Sequence, residues 1–134
     1  MIHCEIVTPR GLYKEFDTTI LNVVTIDGQR GILPNHVPLV TMLQVDKLTS
    51  VEQGVRVEYA VAGGLLYYEN NVAKILCDSI EAKDEIDEAR AIAARDRALD
   101  YLKKKDESID LKRAEFALKK AINRLRIKKG IYND

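Results

Sequence analysis

Hydrophobic and polar positions follow two different rules along this chain of 134 residues. Up to about residue 82, β-branched runs are punctuated by turn formers: Ile6-Val7-Thr8 before Pro9-Arg10-Gly11, Thr18 to Ile26 before Asp27-Gly28, and Val55 to Val61 before Gly63-Gly64. Val55, Val57, Tyr59 and Val61 alternate with Arg56, Glu58 and Ala60, the period-2 pattern of a half-buried strand. Asn70-Asn71 separates Leu65 to Glu69 from Val72 to Cys77, as a tight hairpin requires, because Asn tolerates the positive φ of such turns. Short strands at this spacing predict an antiparallel β-sandwich or barrel over residues 1–82.

From Asp84 the period becomes helical. Asp84 can cap a helix that starts with Glu85, Asp87 and Glu88, where carboxylates favour the positive end of the helix dipole. The pattern predicts one helix over about Glu85 to Lys103. A short polar link from Lys104 to Ile109 follows, then a second helix capped by Ser108 or Asp110 and ending near Gly130. So short a link makes the pair an antiparallel hairpin, residues 83–134. Leu111, Ala114, Leu118, Ala121, Ile122 and Leu125 form one apolar stripe on the second helix; Ala91, Ala94, Ala98 and Leu102 form a narrower one on the first. Small side chains bury little area each, so this hairpin should be only marginally stable by itself.

Composition supports the division. Six of the seven glycines and all three prolines precede residue 65, while nine of the twelve alanines follow residue 81. The formal net charge is zero, yet residues 1–82 carry six Lys/Arg against ten Asp/Glu and residues 83–134 carry fifteen against eleven. The basic half is the one suited to acidic partners. No apolar run approaches the ~18 residues of a membrane span, and residues 1–20 lack a basic start followed by an apolar block. These features predict a soluble, cytoplasmic protein with no membrane insertion of its own. Cys4 and Cys77 sit among strand formers without metal-ligand spacing, so buried, reduced thiols are expected and no metal site. His36 lies in a Pro-flanked loop and is expected to brace it. Of Tyr67 and Tyr68, strand geometry turns one ring to the core and one outward.

Gly31-Ile32-Leu33-Pro34-Asn35-His36, Ala62-Gly63-Gly64 followed by Val72-Ala73-Lys74-Ile75, and Ala121-Ile122-Asn123-Arg124-Leu125 together resemble, in content and order, the ε subunits of bacterial F-type ATP synthases. The resemblance implies a non-catalytic rotor subunit, and no G-x-x-x-x-G-K-[ST] phosphate loop is present. It implies that the sandwich docks on the γ subunit and the c ring. Asp27, Gly28, Gln29, Arg30, Gly31 and His36 are the expected contacts, and the location would be peripheral, on the cytoplasmic face of the plasma membrane. It also implies that the helices inhibit the α/β catalytic head, with Arg113, Lys119, Lys120, Arg124 and Arg126 meeting β. No cofactor is required, but ATP is implied as a regulatory ligand. Ile86-Asp87-Glu88-Ala89-Arg90-Ala91 matches the I/L-D-x-x-R-A motif of ATP-binding members, which marks Glu81, Ile86, Asp87, Arg90, Ala91, Arg97, Lys120 and Arg124 as the candidate site. Lys120 stands where strong ATP binders carry Arg, and lysine lacks the planar bidentate fork. Residues 86, 90, 93 and 97 fall on one face if the first helix includes them all. Two alternatives use the same residues: a free-standing nucleotide sensor, and a small β-barrel that binds nucleic acid through its basic arm. The acidic sheet, lacking an aromatic set interleaved with Lys/Arg, argues against nucleic acid.

Overall fold

Alternation over Ile2–Thr8 puts Ile2, Cys4 and Ile6 on one face, and all three are fully buried. The structure, a computed structural model, describes residues 1–104 and 110–130. It divides into two units, Met1–Ala82 and Lys83–Asp134.

The first unit is a β-sandwich. Strands β1 (Ile2–Thr8), β2 (Gly11–Thr18), β3 (Leu21–Thr25), β4 (Gly28–Ile32), β5 (Leu39–Glu52), β6 (Val55–Glu69) and β7 (Val72–Cys77) run in the order β2-β1-β7-β6-β5-β3-β4, and β8 (Ile80–Ala82) pairs with β6. Asn70 and Asn71, at φ 50° and 62°, make the expected β6–β7 turn and pair Glu69 with Val72. Two expectations change. The sandwich is not wholly antiparallel, because β1 pairs with β7 in parallel, His3 beside Val72 through Val7 beside Leu76. Gly63-Gly64 is no turn either: β6 runs through it for 15 residues, with Tyr59–Val61 paired to β8 and Gly64–Glu69 to β7. The glycines there serve close backbone approach and bending instead of chain reversal. Bent at this point, the long β5–β6 ribbon belongs to both layers, and Leu43, Leu48, Tyr59, Val61, Leu66 and Tyr68 carry one continuous core across it. Tyr68 is the inward ring and Tyr67, 43% exposed, the outward one.

In the second unit, α1 (Glu88–Lys104) begins later than expected, after a 3-10 turn at Lys83–Glu85. Asp87, not Asp84, is its cap: the Asp87 carboxylate accepts the Arg90 N–H at 3.1 Å and its carbonyl accepts that of Ala91 at 3.0 Å. Ile86 N–H bonds to the Lys83 carbonyl, which closes the 3-10 turn and leaves the α-helical ladder to start at Asp87. The second helix, α2 (Leu111–Lys129), has Asp110 as N-cap, accepting the Arg113 N–H, and Gly130 at φ 68° as C-cap. The alternative cap Ser108 and most of the Lys104–Ile109 link lie outside the described residues. Lys129 pairs with Glu88 at 3.6 Å and Lys128 Nζ donates to the Lys83 carbonyl at 3.3 Å, which fixes the antiparallel sense.

Ala91 and Ala98 of α1 are buried, as are Ala114, Ala121 and Leu125 of α2; Ala94, Leu102, Leu118 and Ile122 are half-buried. Leu111, expected in the stripe, is 45% exposed because it opens α2 at the tip of the hairpin. Asn123 and Ile127 are also buried. They stand about half a turn round α2 from Ala121 and Leu125, so α2 has two buried flanks where the sequence suggested one.

Candidate docking and nucleotide-binding surfaces

Half of the segment Asp27 to His36 is strand. Asp27 sits at the exposed tip of the β3–β4 hairpin, Gly28, Gln29, Arg30 and Gly31 lie on β4, and Ile32 anchors that strand in the core. β4 ends the sheet order, so four of the six expected contact residues occupy an edge strand. The true turn is Leu33 to His36, with His36 N–H bonded to the Leu33 carbonyl at 3.2 Å. Asn35, at φ 68°, is latched to the β6–β7 turn: its N–H donates to Asn71 Oδ1 at 2.6 Å and Asn71 Nδ2 donates to Asn35 Oδ1 at 3.1 Å. Tyr68 OH donates to the same Asn71 oxygen at 3.1 Å. His36 braces the turn as expected, with Nδ1 donating to the Val37 carbonyl at 2.7 Å and its ring edge-on to Tyr68 at 5.7 Å. The result is a rigid shelf that presents Leu33 and Val37, 57% and 69% exposed.

Beside the shelf, strand register builds an apolar row that no sequence motif announces. Met42 pairs with Leu65, Leu65 with Leu76, Leu76 with Val7 and Val7 with Leu12. Register partners share a face, so the row crosses β5, β6, β7, β1 and β2. Met42, Leu76 and Leu12 are 54%, 46% and 60% exposed. Val40 and Tyr67, paired and exposed, flank it and line an open groove of about 650 Å³ with Pro38, Glu69 and Lys74. Contiguous exposed apolar surface of this kind marks a contact site.

On the arm, Arg90 and Arg97 are exposed on α1, while Ala91 is fully buried and Ile86 is 2% exposed. Ile86 precedes α1, so it does not share the face of Arg90, Ala93 and Arg97 as the longer expected helix required. Asp87 is engaged at its carboxylate by the Arg90 N–H. On α2, Lys120 and Arg124 are half-buried; Arg113, Lys119 and Arg126 are exposed. Glu81 belongs to the sandwich, on β8. Burial therefore splits the candidate ATP set: Arg90, Arg97, Lys120 and Arg124 keep solvent access, whereas Ile86 and Ala91 are packing residues in this structure. The thiols are packing groups as well. Burial pushes Cys4 up to about 12 and Cys77 to about 11, far from a reactive thiolate.

Sequence profiles of one family cover both units. The profile described as ATP synthase, Delta/Epsilon chain, beta-sandwich domain matches residues 1–83, and the one described as ATP synthase, Delta/Epsilon chain, long alpha-helix domain matches residues 84–129. The chain belongs to the ATP synthase delta/epsilon family. Among its relatives is the ATP synthase epsilon chain of Levilactobacillus brevis, 42% identical over 132 residues that span 96% of this chain and 95% of the relative. That of Lactobacillus helveticus is 40% identical, spanning 99% and 93%. A chain of the Euglena gracilis mitochondrial ATP synthase shares the fold at a TM-score of 0.77 and 19% identity, over 98% of this chain and 81% of that one. Membership of the delta/epsilon family makes this a non-catalytic subunit of the ATP synthase complex. No described helix is long and apolar enough to cross a membrane.

Proposed function

We propose that the chain is the rotor epsilon subunit of a bacterial F-type ATP synthase, docking through its sandwich on the γ subunit and the c ring. The observation that carries this is the apolar row Leu12–Val7–Leu76–Leu65–Met42, in which Leu12, Leu76 and Met42 are exposed, on a fold of a family whose members assemble into ATP synthase. A Tetrahymena thermophila structure with TM-score 0.57, covering 98% of this chain and 96% of that one, is of a central stalk and c ring, which fits the same reading. The shelf of Leu33 and Val37 with the β3–β4 tip at Asp27 suits a second contact, on the c ring. Membrane association then comes through those partners. Leu76→Asp and Leu12→Asp, both at exposed positions, should abolish co-purification with γ while leaving the fold unchanged by circular dichroism. Undiminished γ binding in both variants would reject this face.

The arm is proposed to sense ATP and to inhibit hydrolysis. Arg90 and Arg97 on α1 with Lys120 and Arg124 on α2 supply cations from both helices, so only the closed hairpin gathers them around a polyphosphate. Released, α2 carries eight Lys/Arg against the single acid Glu115, suited to an acidic segment of the catalytic β subunits. Because Asp87 caps α1, an Ala there would confound ligand loss with helix loss; Asp87→Asn keeps the cap and removes only the charge. Calorimetric titration with ATP should show Arg90→Ala weakened at least about tenfold, since hydrogen bonds to charged groups contribute about 1.5–3 kcal/mol. Equal affinity in wild type and Arg90→Ala would remove the site.

A further inference from the structure

The structure assigns a divalent-cation site, best fitted to Zn²⁺, to His3, Glu5 and Glu15 on the outward face of the β1–β2 ribbon. Antiparallel register sets His3 opposite Asp17 and Glu5 opposite Glu15. The two-residue period of β1 keeps His3 and Glu5 on one side, so the four side chains form a two-by-two block. One donor atom each from His3, Glu5 and Glu15 lies within 4.8 Å of the other two. A tetrahedral Zn²⁺ with bonds of about 2.0–2.1 Å needs donors about 3.3 Å apart, a closure that rotation of the exposed Glu15 side chain and the half-buried Glu5 side chain can make.

The fourth member gives the block its character. His3 Nδ1 stands 3.0 Å from Asp17 Oδ1. An ionised carboxylate can only accept, so Nδ1 carries the proton and the lone pair of the neutral ring is on Nε2, which lies 3.7 Å from Glu5 Oε1. A carboxylate holding the far nitrogen of a ligating imidazole is the outer-shell arrangement that orients histidines on zinc. One nitrogen and two carboxylate oxygens, with a fourth position for water, suit Zn²⁺; Mg²⁺ and Ca²⁺ favour oxygen-only sets of six or more. The electrostatics point the same way. Three carboxylates, those of Glu5, Glu15 and Asp17, stand around the one imidazole of His3. The summed negative charge of these carboxylates draws a cation to this face. The basic group nearest in register is Lys74 on β7, opposite Glu5, and it leaves the block with an excess of negative charge.

The test is calorimetric titration of the full chain with Zn²⁺ near neutral pH, with Co²⁺ absorption reporting the coordination. We expect saturable binding of one ion per chain, weakened at least about tenfold by His3→Ala and by Glu15→Gln. Asp17→Asn should weaken it about 10-fold or more through misorientation of the ring, and Asp84→Asn should not change it. Glu15 is exposed on β2, so Glu15→Gln keeps the test open should His3→Ala fail to fold. Absence of saturable binding, or an affinity unmoved by both His3→Ala and Glu15→Gln, would overturn the assignment.

Discussion

Two adjacent glycines on β6 differ in what a methyl group would meet there, and the difference sets a quantitative contrast. At Gly63, φ 73°, an added Cβ comes no closer than 3.7 Å to the Leu43 carbonyl oxygen. Gly63→Ala therefore carries only the cost of holding an L-residue at positive φ, about 1–2 kcal/mol. At Gly64, φ 151°, the added Cβ would intrude on the Leu76 carbonyl oxygen and stand 2.8 Å from Cys77 Cα and 3.0 Å from Cys77 Cβ. Those atoms are mostly backbone of β7, paired to β6 at this residue, so relief requires moving a strand of the core. Backbone strain of about 1–3 kcal/mol joins an overpacking cost of similar size, placing Gly64→Ala near 3–5 kcal/mol. A domain of 60–100 residues shifts its Tm by about 4–8 °C per kcal/mol, so the melting temperature should fall by about 12 °C or more. Urea unfolding followed by circular dichroism measures both variants against wild type, with equal slopes certifying that stability alone has changed. Equal losses for the two substitutions, or less than about 1 kcal/mol for Gly64→Ala, would refute the packing argument.

Asn71→Gly preserves the left-handed turn but deletes the latch to Asn35; it should cost about 1–2 kcal/mol and speed amide exchange at Asn35, measured by NMR. Asp110→Ala removes the α2 cap and should cost the arm about 1 kcal/mol, read as faster exchange at Arg113 without change in the sandwich. Glu52 is the third test. Burial would raise its pKa, but hydrogen bonds from Lys14, Ser50 and Tyr59 and the Lys14 charge outweigh it and hold the carboxyl below its ordinary value. A depressed folded pKa contributes stability that is present above the unfolded value of about 4.3 and is lost as pH falls through the folded one. Glu52→Gln should therefore be less stable than wild type at pH 7 and lose less on acidification below about pH 4, by urea titration at both pH values.

What was legible in the sequence was whatever depends on neighbours along the chain. The Asn70-Asn71 turn, the Asp110 and Gly130 caps of α2 and the division of Tyr67 from Tyr68 all follow from local conformational preference or strand period. Other features did not follow from local preference. The parallel β1–β7 contact joins residues some seventy positions apart, and neither strand carries a sign of it. Gly63-Gly64 is ambiguous in sequence because glycine serves both turns and close strand approach, and only the presence of β7 beside Gly64 separates the two. The start of the first helix is ambiguous in sequence because Asp84 and Asp87 are both competent caps, and the 3-10 turn at Lys83–Glu85 decides for Asp87. The apolar row and the His3 cluster were invisible for one shared reason: Leu12, Val7, Leu76, Leu65 and Met42, like His3 and Glu15, become neighbours only through register.

The bent β5–β6 ribbon has a mechanical meaning. Thirteen register pairs, from Leu39 beside Tyr68 to Glu52 beside Val55 and interrupted only at Gln44 and Gly63, run along one continuous pair of strands, a lever about 45 Å long at the usual strand rise. Sliding one layer over the other would have to shear that ladder lengthwise, tearing many backbone hydrogen bonds at once instead of unzipping them singly. In the proposed rotor role the subunit would be loaded sideways with every step, and this sandwich would pass such a load on as a stiff coupling, with little stored twist of its own.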